Sequence, residues 1–135
     1  FQNDDTDAVV GQTFMRHSSD PAGSGDEVAN KSLLFFPILN PLNHPAFFVR
    51  LSTYDRLGDY DSRYFISADY DFMYRVHIGG KIKMCSNICV DRLPGGLASK
   101  HLSVARNETY LIGKTRSNGF ILPLMALAIR TILRR

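Results

Sequence analysis

The sequence contains no tryptophan, only two cysteines, no apolar run long enough to span a bilayer, and no large excess of charge of either sign. Its longest apolar stretch, residues 120–129 (FILPLMALAI), is about half of the ~20 residues that a spanning helix requires. The first stretch is acidic and polar where a signal peptide would need an apolar segment, so none is expected within it. Cys85 and Cys89 stand four residues apart in a strand-like run, so both side chains face the same way. Such neighbours rarely reach disulfide geometry, and without nearby ligand-type residues they make a poor zinc site. Two buried thiols in a reducing, cytosolic setting are expected. Sixteen basic and thirteen acidic residues, net +3, are interspersed along most of the chain. Basic residues are not interleaved with aromatics on one face, so no nucleic-acid partner is expected.

What the chain does have is 44% hydrophobic residues in 135, with nine Phe and six Tyr. That is enough for one core, belonging to one domain or part of one. The chain opens on Phe1 and its apolar pattern begins almost at once, so the sequence is expected to continue upstream. Residues 1–116 read as one unit. Residues 117–135 read as a terminal apolar and basic helix, with Pro123 tolerable in its first turn. Arg130, Arg134 and Arg135 follow its apolar part. Residues 120–135 would either pack on the core or lie on a bilayer surface against anionic headgroups.

Residues 7–17 (DAVVGQTFMRH) predict a strand, followed by a loop through Glu27. Residues 30–40 are apolar without a clear period, and 40–43 (NPLN) favour a turn. Residues 44–50 (HPAFFVR) predict a short buried strand, and 51–57 one or two helical turns closed by Gly58. From Ser67, a plausible N-cap, the spacing of Tyr70, Met73, Tyr74 and His77 predicts a helical face, and Gly79-Gly80 ends it. Asp71 and Arg75 are then four apart, the spacing of an exposed or half-buried ion pair. Residues 81–90 predict a strand and 94–96 a turn. Residues 99–116 predict a helix with Leu102, Ala105, Thr109 and Ile112 inward and Arg106, Lys114 and Arg116 solvated.

Four of these pieces occur in a recognisable order: HPAFFVR (44–50), YDRLGDYD (54–61), SADYDFMYRVHIGGKIK (67–83) and DRLPGGLAS (91–99). In this order, and with these gaps, they resemble the C-terminal, acceptor-side half of family 2 glycosyltransferases of the GT-A fold, over roughly residues 8–112. The resemblance implies an α/β fold, a partial nucleotide-diphospho-sugar-transferase-like arrangement of a mixed sheet with flanking helices. It implies transfer of a sugar from a nucleotide-sugar donor to a hydroxyl of a glycan or lipid-linked acceptor, with inversion, as in cell-surface polysaccharide synthesis. The divalent cation, Mg²⁺ or Mn²⁺, would be held mostly by ligands outside this chain. The setting it implies is the cytoplasm, at the inner face of the membrane if residues 120–135 bind lipid.

By the same resemblance Asp69, following Ala68, is the catalytic base. A first-turn carboxylate is also favoured by the helix dipole for stability alone; the flanking motifs favour catalysis. His44 would line the donor or acceptor pocket, or serve as a strand-edge histidine satisfied by backbone. Arg92, Gly95, Gly96 and Ser99 match the segment that closes over the donor diphosphate, or form a plain turn. His101 is a further candidate, as a metal ligand. Asp5-Thr6-Asp7 has the form of a metal motif but lacks a preceding strand and is expected to be surface loop. The nucleotide-binding half has no counterpart here, so the chain alone is expected to be a poor catalyst. The alternative is a non-catalytic binding or scaffolding domain that keeps part of the fold.

Overall fold

The computed structural model describes residues 5–17 and 24–117, apart from the side chains of Ile88 and Cys89. The terminal helix expected after Ser117, its membrane contact and the burial of Cys89 therefore lie outside the described residues. The chain forms β1 (Ala8–Arg16), β2 (Gly25–Val28), two 3₁₀ turns (Leu33–Phe35 and His44–Ala46), β3 (Phe47–Val49), α1 (Leu51–Leu57), α2 (Ala68–Gly79), β4 (Ile82–Arg92), a single-turn α3 (Leu97–Lys100) and α4 (Leu102–Arg116). The architecture is mixed α/β, an open mixed sheet with flanking helices. Among the described residues no helix is long and apolar enough to cross a membrane.

The sheet is built on β1. Its first residues pair antiparallel with β3, Val9 opposite Phe48, and its last with β2, Phe14 opposite Glu27. β4 runs parallel to it, from Ala8 opposite Ile82 to Met15 opposite Arg92. A strand has two edges, so β2 and β3 share one side of β1 and β4 holds the other. Register shifts flank Gln12. Burial changes phase there, from Ala8 and Val10 to Thr13, and the extra residues lie on β4, which runs from Met84 to Val90 while β1 runs from Val10 to Thr13.

α2 lies across this sheet and is buried on nearly every side. Tyr70, Met73 and Tyr74 pack with Val10, Phe36, Leu42 and Ile112, while Phe72 and Val76 pack with Ala8 near Tyr54 and Leu57. Each large apolar side chain withdrawn in this way contributes roughly 1.5–3 kcal/mol. Phe36 stacks on Tyr74 at 5.1 Å and on His77 at 4.7 Å, and the Tyr70 hydroxyl donates to the Phe36 carbonyl. The expected face of α2 is therefore real but too narrow, because Asp71, Phe72 and Val76 are buried as well.

Asp71 departs most from expectation. Its carboxylate is fully buried, with one oxygen 2.9 Å from Arg75 Nε and the other 2.8 Å from Arg116 Nη2. Arg75 also donates to the carbonyls of Leu57, Gly58 (3.0 Å) and Asp59 (2.6 Å), closing the C-terminus of α1. Gly58, with φ of +78°, ends that helix as its position suggested. What the spacing presented as an exposed or half-buried pair, with Arg116 solvated, is a buried junction of α1, α2 and α4.

Other differences share one cause, tertiary contact outweighing local pattern. Residues 25–28 form β2 because β1 offers them an edge, although GDEV alone is not strand-like. Pro45 lies in the 3₁₀ turn that opens the expected 44–50 strand, and only Phe47–Val49 pair, with Phe48 48% exposed. The expected 99–116 helix is split at His101, and Leu102 is exposed. Cys85 is half-buried. Asp7 is no surface loop residue: its carboxylate accepts the Lys81 amide (2.8 Å), the Arg56 guanidinium and the Thr53 hydroxyl (3.4 Å). Burial raises its pKa, but these donors outweigh that and leave it lowered.

Removing the Asp71 carboxylate leaves two arginines without their buried counter-charge, so Asp71→Ala should destabilise the chain by about 3–5 kcal/mol in urea unfolding. A loss under about 1 kcal/mol would mean that Arg75 and Arg116 find other partners.

Candidate active site

Asp69 occupies the first turn of α2, where unsatisfied amides and the helix dipole favour an ionised carboxylate. Ser67 stands at the N-cap position but does not cap. Its hydroxyl donates to the Ala105 carbonyl at 3.3 Å, across to α4. Asp69 instead binds its neighbouring amide, Tyr70 N–H donating to Oδ1 at 2.7 Å. The second oxygen, Oδ2, lies 3.2 Å from His44 Nδ1. Two residues singled out on different motifs thus meet in space, and both remain reachable from solvent, with side chains 27% (Asp69) and 53% (His44) exposed.

His44 opens the second 3₁₀ turn, and the residue before it is firmly held. Asn43 N–H donates to Asn30 Oδ1 at 2.7 Å, Asn43 Nδ2 donates to the Val28 carbonyl, and Thr13 donates to Asn43 Oδ1 at 3.4 Å. The turn-prone 40–43 stretch is therefore pinned to β1 and to the end of β2.

Asp69 is held from the other side by α4. The Glu108 carboxylate accepts the amides of Phe65 (2.7 Å), Ile66 (2.9 Å) and Ser67 (2.8 Å), the three residues leading into α2. Burial pushes the Glu108 carboxyl up, but the three amides outweigh it and hold its pKa below the ordinary value of 4.5. Glu108 has the same helical phase as Ala105 and Ile112, so a lone acid on an apolar face was the sequence signal for it. Tyr60 also borders the site. The pKa of its hydroxyl is pushed up to about 12, by burial first, then by its hydrogen bond to Tyr54 and by the Asp69 charge. Its ring stands 5.3 Å from Phe72.

The remaining candidates form a separate group. Arg92 ends β4 half-buried, its Nε shut from solvent without a hydrogen-bond partner. Gly95 and Gly96 have φ of +98° and +131°, with no atom near a Cβ built on either, so backbone conformation and not crowding requires glycine there. Ser99 donates to the Gly96 carbonyl at 2.8 Å. Among the described residues no hydrogen bond or ion pair joins this group to Asp69 and His44. His101 is exposed, its ring edge-on to Phe65 at 6.0 Å. Among the described residues no three His, Cys, Asp or Glu side chains are grouped to hold a metal ion.

Chemically, the arrangement offers a solvent-reachable carboxylate fixed through both oxygens, with an imidazole beside it. Such a carboxylate can accept a proton from a bound hydroxyl, and the imidazole can balance its charge.

Glu108→Ala strips three amides of their acceptor and should cost about 2–4 kcal/mol. Because the folded pKa of Glu108 is depressed, its contribution is complete above the unfolded value near 4.5 and is lost as pH falls through the folded value. The stability gap between wild type and Glu108→Gln in urea should therefore shrink below about pH 4.5; a gap that stays constant down to about pH 2.5 would show that the carboxylate form does not matter.

No protein-family model matches this chain, and no curated protein matches it significantly, so what it does has to be inferred from the Asp69 site.

Proposed function

We propose that this chain is the acceptor-side part of an inverting glycosyltransferase of the family 2, GT-A type, with Asp69 as its base. The observation that carries this is the 3.2 Å approach of His44 to Asp69. The two lie in separate motifs, each of which resembles that family, and no secondary-structure periodicity brings them together.

In this reading the acceptor hydroxyl binds at the free side of the Asp69 carboxylate. Its oxygen attacks the anomeric carbon of the donor sugar as the carboxylate takes its proton. The bond to the nucleoside diphosphate breaks on the opposite face, so the configuration inverts. The proton ends on Asp69, whose other oxygen stands 3.2 Å from His44 Nδ1. Glu108 holds residues 65–67 and so fixes where the base stands. Nucleotide and cation would be held by residues outside this chain, and Arg92 with residues 95–99 would cover the diphosphate.

In the enzyme that contains this chain, Asp69→Asn should lower nucleoside diphosphate release from the productive nucleotide sugar by about 10²–10⁴-fold. Binding of that nucleotide sugar should be unchanged, because the base acts on the acceptor. Wild-type turnover in the variant would remove Asp69 from catalysis. Absence of any acceptor-dependent release from uridine or guanosine diphosphate sugars would favour a non-catalytic binding domain.

A further inference from the structure

A second cleft, of about 400 Å³, opens between the first turns of α4 and the segment before Asn43. It shares no lining residue with the Asp69 site. Lys31 reaches it from one side and Arg106 from the other. Neither has an ion pair or a side-chain hydrogen bond among the described residues. Among the described residues no acid lines the cleft, and the first turn of α4 carries none. Two like charges facing one space repel each other, and an anion between them turns that repulsion into attraction. Asn40 adds a donor: its Oδ1 is taken by the Leu42 amide at 3.1 Å, leaving its NH₂ group unused. Leu39, Leu102 and Ala105 give it an apolar floor, with Leu102 42% exposed despite its size, and Thr109 completes the lining with its hydroxyl donated to the Ala105 carbonyl at 2.7 Å.

We propose that this cleft binds a phosphate ester that carries an apolar group. The phosphate oxygens lie between Lys31 and Arg106, where the planar guanidinium presents a fork of N–H donors and the ammonium a point charge. The apolar substituent covers Leu39, Leu102 and Ala105, removing them from water. Both halves are needed: inorganic phosphate would leave the apolar floor wet, and an alcohol would leave the cations unpaired. The same chemistry occurs in a soluble ester and in a lipid headgroup with its first methylenes. The site would exist whether or not the chain takes part in sugar transfer.

Isothermal titration and amide-shift mapping on the 135-residue chain test this with hexyl phosphate, inorganic phosphate and hexanol. Hexyl phosphate should bind roughly tenfold or more tightly than inorganic phosphate, and hexanol should not bind. Lys31→Gln and Arg106→Gln should each weaken hexyl phosphate roughly tenfold, and shifts should centre on residues 39–40 and 105–106. Neither side chain has an ion pair or a side-chain hydrogen bond among the described residues, so circular dichroism should show the variants folded. Hexanol binding as well as hexyl phosphate, inorganic phosphate binding equally, or undiminished binding in the double variant would each overturn the proposal. Sedimentation with phosphatidic acid vesicles separates the sources. Co-sedimentation lost in the double variant indicates a membrane lipid, and binding of hexyl phosphate without co-sedimentation indicates a free ester. Co-sedimentation equal in both proteins, without hexyl phosphate binding, would also overturn it.

Discussion

The buried carboxylate of Asp71 is the interaction on which the rest of this structure depends. An ionised group without access to water is costly unless its lone pairs are taken up, and here two guanidinium groups supply the partners. One of them, Arg75, satisfies the last carbonyls of α1, and the other comes from the last turn of α4. Three helices, which also pack through Tyr54, Phe72 and Ile112, are thereby held in one relation. The ring of Phe72, 5.0 Å beneath the Arg75 guanidinium, fills the space that remains.

The candidate site inherits its geometry from that junction. Asp69 lies two residues before Asp71 on the same helix, so fixing Asp71 fixes the first turn. Glu108 does the same from the other direction, taking the three amides that lead into α2. α4 therefore grips α2 on both sides of Asp69, by Arg116 after it and by Glu108 before it. The glycine turn at residues 95–96 joins α4 through α3 and His101, which is how the group around Arg92 is connected to Asp69 without touching it. The proposed phosphate-ester cleft is lined by Leu102, Ala105, Arg106 and Thr109 of α4, so the helix that holds the residues before Asp69 would also present a cation to a second ligand.

Much of this was legible in the sequence. Strands over residues 8–16 and 82–92, the short helix ending at Gly58 and the helix from Ala68 to Gly79 follow from period, capping and glycine punctuation. Less visible were features made by partners distant in the chain. GDEV becomes a strand only because β1 pairs with it, and Asp7 becomes an anchor only because Arg56 and the Lys81 amide converge on it. A capping serine read from its position turned out to serve α4 instead, since the Ala105 carbonyl was within its reach.

The sequence by itself determined the mixed α/β elements, the placement of Asp69 in the first turn of a helix, and the neighbourhood of motifs that includes His44. These are local properties, encoded within a few residues by side-chain shape and hydrogen-bonding groups. Only the tertiary structure decided that His44 meets Asp69, that Asp71 is buried between two arginines, and that Lys31 and Arg106 face one cleft. Each joins residues far apart in the chain, and the desolvation and charge that determine them exist only once the helices have closed on the sheet.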